Sequence, residues 1–361
     1  MTGWRRNVLS LDGRPLVVVT FSSATVMAPD SPRQMTHTQI MARSAPVPAL
    51  AALVTVIAVT VGSACSPPGG DQTGVDQTGA EPEHRTEVGP LNHHSTTVDG
   101  LERTWSTYSP GASHEPLAPV VLVLHGTGDT GAGIRGGIGP DLERLADEHG
   151  FTIAYVDGYE NNWNECRRQG QWPAKERDLD DVGLMREIVG SLGASGPVYA
   201  VGFSSGGHMT MRLALEAPDL VDGVAAVAAN PPAADNQACD DVGEPVPIMF
   251  VQGREDPVNP VEGGEVRVGT GVFGSSRGEV LSAVDGARWF AERGRPRSGP
   301  VPVTARENDA ETTTWEGAAP VRLVVVDRVS HSFPTVSGRW GRDGGASYDA
   351  PGEIWRFLSD V

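Results

Sequence analysis

Short, continuous runs of apolar residues recur along the chain from residue 91 to residue 361 and alternate with stretches of helical periodicity. The clearest runs are Val120–Leu124, Val198–Gly202, Ile248–Gln252 and Val321–Val326. A continuous apolar run of this length is typical of a strand that is covered on both faces. Strands that alternate with helices in this way predict an α/β fold, with a mostly parallel central sheet and helices on both faces.

The remaining elements follow from turn signals and from 3.6-residue spacing. We predict a hairpin of Ser95–Val98 and Arg103–Tyr108, strands at Phe151–Val156 and Val221–Ala229, and helices at Asp141–His149, Asp181–Leu192, Gly207–Ala217, Glu279–Glu292 and Glu353–Leu358. All of them lie in one predicted domain, residues 91–361.

The N-terminal region has the sequence pattern of a targeting segment. An uncharged apolar stretch, Ala45–Ala64, follows Arg43 and ends directly before Cys65. This is typical of an export signal, although a stretch of about 20 apolar residues can also remain as a membrane anchor. The Gly-Ser-Ala-Cys ending resembles a bacterial lipobox, in which Cys65 would be acylated. We therefore expect an extracytoplasmic protein, either a lipoprotein held to the membrane through Cys65 or a secreted one.

Residues 1–64 are longer than an ordinary signal, so we expect translation to start at Met35 or Met41. Residues 65–90 hold the lipidated cysteine and then a linker, which contains Pro-Pro-Gly-Gly and two copies of Asp-Gln-Thr-Gly. With Cys65 acylated, the remaining cysteines are Cys166 and Cys239. In an oxidising compartment they form a plausible disulfide, and two buried free thiols are the alternative.

Charge excludes one class of function. The formal net charge is −18, and Lys175 is the single lysine. A nucleic-acid-binding protein needs a basic surface to displace counterions from phosphate, so we expect no nucleic-acid partner. No cluster of His, Cys and Asp has metal-ligand spacing, and we expect neither a metal nor a cofactor.

The most specific motif is Gly-Phe-Ser-Ser-Gly-Gly, residues 202–207, between a predicted strand and a predicted helix. A nucleophilic serine at the centre of Gly-x-Ser-x-Gly stands clear of the sheet on a sharp turn, which makes Ser204 the candidate nucleophile. A structural Gly-Ser turn is the alternative. An oxyanion requires two backbone N–H donors, and we assign one to Ser205 and the other to Gly126 or Thr127, after the strand Val120–Leu124.

A serine hydroxyl needs a neighbouring imidazole, and the imidazole needs a carboxylate. His331 follows the strand Val321–Val326, whereas His208 lies on the helix after Ser204 and is expected to be a packed or capping residue. Asp256 follows the strand Ile248–Gln252, with Glu255 as its competitor. The ends of these strands lie at the sheet edge where ligands bind in open α/β sheets.

Several motifs together resemble the secreted polyhydroxybutyrate-depolymerase-like and feruloyl-esterase-like branch of the α/β-hydrolases. They are Val-Leu-Val-Leu-His-Gly (121–126), Asn-Trp-Asn with Cys166 (162–166), Asp-Asp-Val-Gly (180–183), Gly-Phe-Ser-Ser-Gly-Gly-His-Met (202–209), Pro-Ile-Met-Phe-Val-Gln-Gly-Arg-Glu-Asp-Pro-Val (247–258) and His-Ser-Phe-Pro (331–334). The resemblance implies the α/β-hydrolase fold and a serine carboxylic ester hydrolase. It gives the three catalytic roles to Ser204, Asp256 and His331 and implies a disulfide at Cys166.

The substrate is less constrained. Small esters or polymer-derived esters with short-chain, hydroxyalkanoate or hydroxycinnamoyl groups fit the resemblance, and Trp163, Phe203 and Phe333 are candidates for lining the pocket. Trp163, and likewise Trp172 and Trp340, lie in predicted loops. Tryptophans in loops equally often have a structural role and fill space in the protein interior. A serine peptidase or acyltransferase, or a non-catalytic surface lipoprotein that binds a ligand, is the alternative function.

Overall fold

The computed structural model describes residues 3–11, 14–22, 90–111, 117–269, 274–293, 301–337 and 348–361. It divides into two compact units, Met1–Gln77 and Thr78–Val361. In the first unit, strands β1 (Gly3–Leu11) and β2 (Arg14–Ser22) pair antiparallel. Met35, Met41, the apolar stretch before Cys65, Cys65 itself and the predicted linker up to residue 89 lie outside the described residues. No helix within the described ranges is long and apolar enough to cross a bilayer.

The second unit contains twelve described strands and six described helices. The strands are β3 (Asn92–Val98), β4 (Leu101–Tyr108), β5 (Val120–Leu124), β6 (Thr152–Val156), β7 (Val198–Phe203), β8 (Gly223–Val227), β9 (Ile248–Gly253), β10 (Gly264–Val268), β11 (Ser275–Val280), β12 (Val303–Glu307), β13 (Ala310–Trp315) and β14 (Val321–Val326). The helices are α1 (Gly131–His149), α2 (Pro173–Glu176), α3 (Asp181–Ser191), α4 (Ser205–Glu216), α5 (Ala283–Glu292) and α6 (Ala350–Ser359).

Ten of these strands form one sheet in the order β12-β13-β14-β9-β8-β7-β5-β6-β4-β3. The six strands from β14 to β6 are parallel, and the pairs at both edges are antiparallel. The predicted α/β architecture is therefore confirmed. The carboxyl ends of the parallel strands lie along one edge of the sheet, where the candidate residues follow them.

The sheet is covered on both faces, as the continuous apolar runs predict. In β5, Leu122 and Leu124 belong to one buried cluster, together with residues of α3, α4 and α5. Val121 and Val123 belong to a second cluster, together with residues of α1 and α6. Successive side chains of a strand point to opposite faces, so these two clusters lie on the two sides of the sheet.

Two predictions about elements need correction. The predicted helix Glu279–Glu292 is wrong at its start, because Glu279 and Val280 belong to β11 and α5 begins at Ala283. Ser282 accounts for that boundary, since its hydroxyl oxygen accepts the N–H of Asp285 at 3.1 Å and caps the helix. The predicted helix Asp141–His149 is the second half of α1, which begins ten residues earlier after the capping residue Thr130.

Cys166 and Cys239 form a disulfide, with their Cα atoms 4.8 Å apart. It joins the segment after β6 to the segment after β8. Backbone hydrogen bonds reinforce the junction, because Ala238 N–H donates to Cys166 O at 2.7 Å and Arg168 N–H donates to Asn236 O at 2.6 Å. The alternative of two free thiols does not hold in this structure.

We predict that a double variant, Cys166→Ala with Cys239→Ala, is less stable than the native chain. A cross-link over 73 residues restricts the unfolded chain, and its loss is expected to reduce the free energy of unfolding by about 4 kcal/mol. Urea unfolding of both proteins under oxidising conditions measures this difference. Native protein unfolded with dithiothreitol is the control and should match the variant. Equal free energies of unfolding with and without the cysteines would contradict the prediction.

Candidate active site

Ser204 occupies a sharp turn between β7 and α4. Its backbone angles, φ 53° and ψ −115°, lie in a region that residues with a side chain seldom adopt. The N–H of Ser204 donates to Val227 O of the neighbouring strand β8 at 2.8 Å, which extends the sheet pairing into the turn. The strained conformation that the Gly-x-Ser-x-Gly motif predicts is therefore present at the serine itself.

Glycines on both sides of Ser204 permit this turn. A Cβ atom on Gly202 would lie 2.1 Å from Gly206 O, so the strand and the helix touch through their backbones. A Cβ atom on Gly206 would lie 2.1 Å from Leu124 O at the end of β5. Both contacts are far shorter than any real Cβ contact. Any side chain at Gly202 or Gly206 would therefore push the serine away from its neighbours.

His331 connects Ser204 with Asp256. Its Nδ1 lies 2.7 Å from Asp256 Oδ2, and its Nε2 lies 3.0 Å from Ser204 Oγ. An ionised carboxylate only accepts hydrogen bonds, so Nδ1 carries the proton and the lone pair of Nε2 faces the serine hydroxyl. This arrangement sets up the imidazole to accept the serine proton.

The carboxylate of Asp256 is held in place from its other side. The side chain is fully buried, and Oδ1 accepts the backbone N–H groups of Val258 and Asn259, both at 2.8 Å. Glu255, the competitor in the sequence, is exposed. The structure thus brings Asp256 to His331 and leaves Glu255 outside the site.

A further glycine lets the loops that carry Asp256 and His331 approach each other. A Cβ atom on Gly253, the last residue of β9, would lie 2.4 Å from Val329 O and 2.5 Å from Ser330 O. The sequence analysis missed this residue, although a glycine at the end of a strand beside a candidate acid is a signal for such an approach.

The loop after β5 lies against the serine. A Cβ atom on Gly126 would be 3.5 Å from Ser204 Cβ and 3.1 Å from Phe203 Cδ1. Ser205 is the first residue of α4, so its N–H has no acceptor within the helix. Gly126 and Ser205 therefore border Ser204 closely, and Thr127 follows as a half-buried residue of the same loop.

His125 holds this loop in shape. Its Nε2 accepts the N–H of Gly158 at 2.9 Å, so Nδ1 carries the proton and donates to Gly126 O at 2.7 Å. Burial lowers the pKa of His125, despite the opposing effects of the Gly126 carbonyl and of nearby carboxylates. A neutral imidazole thus fixes the direction of the Gly126 carbonyl. The sequence analysis quoted this histidine without assigning it a role.

Two tryptophans lie behind the same loop. Trp163 is completely buried, and its indole N–H donates to His125 O at 2.8 Å. Trp172 in turn donates to Trp163 O at 2.5 Å. This geometry corrects the pocket prediction for Trp163, which acts as a plug supporting the loop because none of its surface is open to a ligand.

The other pocket candidates are also buried. Phe203 packs against His331 with ring centroids 5.1 Å apart. Phe333 belongs to the buried cluster that includes α1 and α6. Trp340 lies outside the described residues. Phe203 is therefore the predicted pocket residue that directly contacts one of the three candidate catalytic residues.

His208 lies one helical turn after Ser204, and its backbone N–H donates to Ser204 O at 3.1 Å. Its ring is buried, and Nδ1 has no hydrogen-bond partner in the described part of the chain. Burial, and then the electrostatic effects of Arg167 and His331, hold the pKa of His208 well below its usual value. The predicted packed histidine fits this environment.

Comparisons with known proteins agree with this fold. Residues 119–254 match the family model described as alpha/beta hydrolase fold. An acetyl xylan esterase from Aspergillus awamori superimposes with a TM-score of 0.51 at 14% identity, over 76% of this chain and 100% of that one. The protein is an α/β-hydrolase in fold. The resemblance deduced from the sequence motifs is confirmed at this level.

Two curated relatives align with part of this chain. NocK of Nocardia uniformis subsp. tsuyamanensis, named as a candidate esterase, is 34% identical over 174 residues, which are 46% of this chain and 48% of that protein. Poly(3-hydroxybutyrate) depolymerase of Ralstonia pickettii is 32% identical over 153 residues, or 38% of this chain and 31% of that one. The alignments thus span half or less of either relative.

Among the described residues, no group of three His, Cys, Asp or Glu could hold a metal ion.

The buried histidines of the α/β-hydrolase domain predict a loss of stability in acid. A group whose pKa is lowered on folding takes up a proton on unfolding, so stability falls as the pH drops below the unfolded value of 6.5. Replacing His208 with Leu should remove about one proton, or about 1.4 kcal/mol per pH unit, from this dependence. Urea unfolding of both proteins between pH 7.5 and 5 measures the slopes. Parallel curves would contradict the prediction, and replacement of the exposed His93 is the control.

Proposed function

We propose that this protein is a serine carboxylic ester hydrolase that works through an acyl-enzyme. The observation that carries the proposal is the continuous hydrogen-bonded connection from Asp256 through His331 to Ser204, on a serine with positive φ. The names of the relatives, a candidate esterase and a polyester depolymerase, support the same chemistry.

In the first step, Ser204 Oγ attacks the carbonyl carbon of the ester while His331 Nε2 takes the serine proton. The imidazolium that forms is stabilised by Asp256, whose carboxylate is already oriented by two backbone N–H groups. The oxyanion of the tetrahedral intermediate accepts hydrogen bonds from the N–H of Ser205 and from the N–H of Gly126 or Thr127. Protonated His331 then donates its proton to the leaving alcohol, and the acyl-enzyme remains.

In the second step, water attacks the acyl-enzyme. His331 takes a proton from the water, and the oxyanion occupies the same place as before. Collapse of the intermediate releases the acid, and His331 returns the proton to Ser204 Oγ. His125 contributes indirectly, because its neutral imidazole holds the carbonyl of Gly126 and hence the direction of the loop.

For the substrate we propose short-chain, hydroxyalkanoate or hydroxycinnamoyl-type esters, free or released from a polymer. The depolymerase relative supports the hydroxyalkanoate class. We further propose an extracytoplasmic location, with Cys65 as a lipid anchor. The disulfide between Cys166 and Cys239 supports this location, because such bonds persist in oxidising compartments.

Replacing Ser204 with Ala should reduce kcat on the order of 10⁶-fold, because the nucleophile is lost. Turnover of p-nitrophenyl acetate, butyrate and octanoate and of methyl ferulate by the full chain measures this, and the preference among them measures the acyl pocket. The remote change Ser191→Ala serves as the control. A fluorophosphonate probe should label the native protein and not the Ser204→Ala variant. Background turnover and no labelling in a folded native protein would instead favour the non-catalytic alternative.

Asp256→Asn should lower kcat by about 10³–10⁴-fold while leaving the fold intact. The amide cannot stabilise the imidazolium, and it favours the wrong tautomer of His331. Glu255→Gln provides a control that removes the same charge from the adjacent, exposed position. We expect the control to retain native turnover of p-nitrophenyl butyrate. Equal losses in both variants would contradict the assignment of Asp256.

A further inference from the structure

Arg277 is a buried cation that lies against Trp172 and forms no salt bridge within the described part of the chain. Arg277, on β11, retains only 6% of its surface exposed. Its Nε and Nη1 atoms are buried and have no hydrogen-bond partner among the described residues. The guanidinium carbon lies 4.3 Å from the centre of the Trp172 ring. A buried charge is unfavourable unless it is paired, and a carboxylate is the group that pairs with a guanidinium most effectively.

The nearby carboxylate is already occupied. Both oxygens of Glu165 bind Arg167: Oε1 accepts from Nε at 2.7 Å, and Oε2 accepts from the backbone N–H at 2.8 Å. Lys175 adds another positive charge 5.3 Å from the Trp172 ring. Arg167, Lys175 and Arg277 thus lie 5.7, 5.3 and 4.3 Å from the centre of the Trp172 ring. Burial, and then the charge of Arg167, lower the pKa of Arg277, and the charge of Glu165 opposes them in part.

This cation cluster, made of Arg167, Lys175 and Arg277 around Trp172, is linked to the candidate active site along two routes. The indole of Trp172 donates to Trp163 O, and Trp163 donates to His125 O, in the loop beside Ser204. On the other route, Arg167 and His331 both act electrostatically on His208, one helical turn after Ser204. Hydrogen bonds and electrostatic interactions thus connect members of the cluster with the surroundings of Ser204.

We propose that Arg277 binds a carboxylate of the substrate, so that the preferred substrate is an ester that carries a free carboxylate on its acyl or its alcohol part. A guanidinium donates charge-assisted hydrogen bonds to a carboxylate, and no described residue accepts from Nε or Nη1 of Arg277. The proposal rests on the proposed ester hydrolysis and names its substrate class. Arg277 is a specificity-determining residue in this scheme and takes no part in the proton transfers.

The test compares matched esters with the full chain and its Arg277→Met variant, which removes the charge and keeps an unbranched side chain against Trp172. For the acyl part, mono-p-nitrophenyl glutarate is paired with p-nitrophenyl valerate. For the alcohol part, 4-acetoxybenzoate is paired with phenyl acetate. In at least one pair, kcat/KM for the charged ester should fall by about tenfold or more in the variant, with a change of about twofold or less for its neutral partner.

Arg267→Met is the matched control, because it removes the same charge from the same hairpin at an exposed position paired with Glu265. It should leave the charged-to-neutral ratio of kcat/KM unchanged. The midpoint of thermal unfolding shows that Arg277→Met folds, and we expect it to equal or exceed the native value because an unpaired buried charge is gone. Arg277→Gln replaces the Met variant if the latter does not fold. An unchanged ratio in both pairs overturns the proposal.

A binding measurement separates this inference from the proposed function. Glutarate is titrated calorimetrically into the native protein and into the Arg277→Met variant. Binding that is lost in the variant supports the carboxylate site, even if every ester remains uncleaved and the ester hydrolysis itself fails. Absent binding to the native protein, or equal binding to both, overturns the site, even where the neutral esters are cleaved.

Discussion

The backbone at Ser204 is the constraint on which the site depends. A positive φ at a residue with a side chain costs on the order of 1–3 kcal/mol, and the surroundings must hold it there. Here the N–H bond to Val227 and the side-chain-free contacts of Gly202 and Gly206 hold it. These contacts come from β5, β7, β8 and α4, which are the centre of the parallel sheet. The candidate nucleophile is therefore presented by the centre of the parallel sheet.

The acid and the imidazole reach the serine through strand order. Asp256 and His331 are far apart in the chain, but β9 and β14 are parallel neighbours in the sheet. The loops after these strands consequently leave the sheet side by side, and Gly253 lets them touch. A change in strand order would separate these residues without altering any local motif. The arrangement of the three candidate catalytic residues is thus a property of the sheet topology as much as of the motifs.

The sequence predicted the parallel strands well because strands buried on both faces are continuous apolar runs. The edge hairpin of β12 and β13 escaped prediction because every residue of β12 is exposed and its composition is polar. Ser204, Asp256 and His331, which the structure brings together, were candidates because each follows a recognisable strand in a fixed order. Trp163 was assigned to the pocket because an aromatic residue in a loop gives the same signal whether it lines a cavity or fills one. Its hydrogen bond to His125 depends on three-dimensional packing, which a single sequence does not contain.

The charges of the buried ionisable groups around this site are compensated in different ways, and Arg277 differs from the others. Arg103 and Asp181 neutralise each other at 2.6 Å, and Asp181 also accepts the N–H of Asn164, next to Trp163. His125 and His208 are held neutral by burial, which lowers the pKa of each. Within the described ranges, Arg277 is neither paired with an opposite charge nor neutral. A guanidinium stays protonated, and the carboxylate of Glu165 is bound by Arg167. Arg277 is thus the buried guanidinium beside Trp172 whose charge we propose a substrate carboxylate to balance.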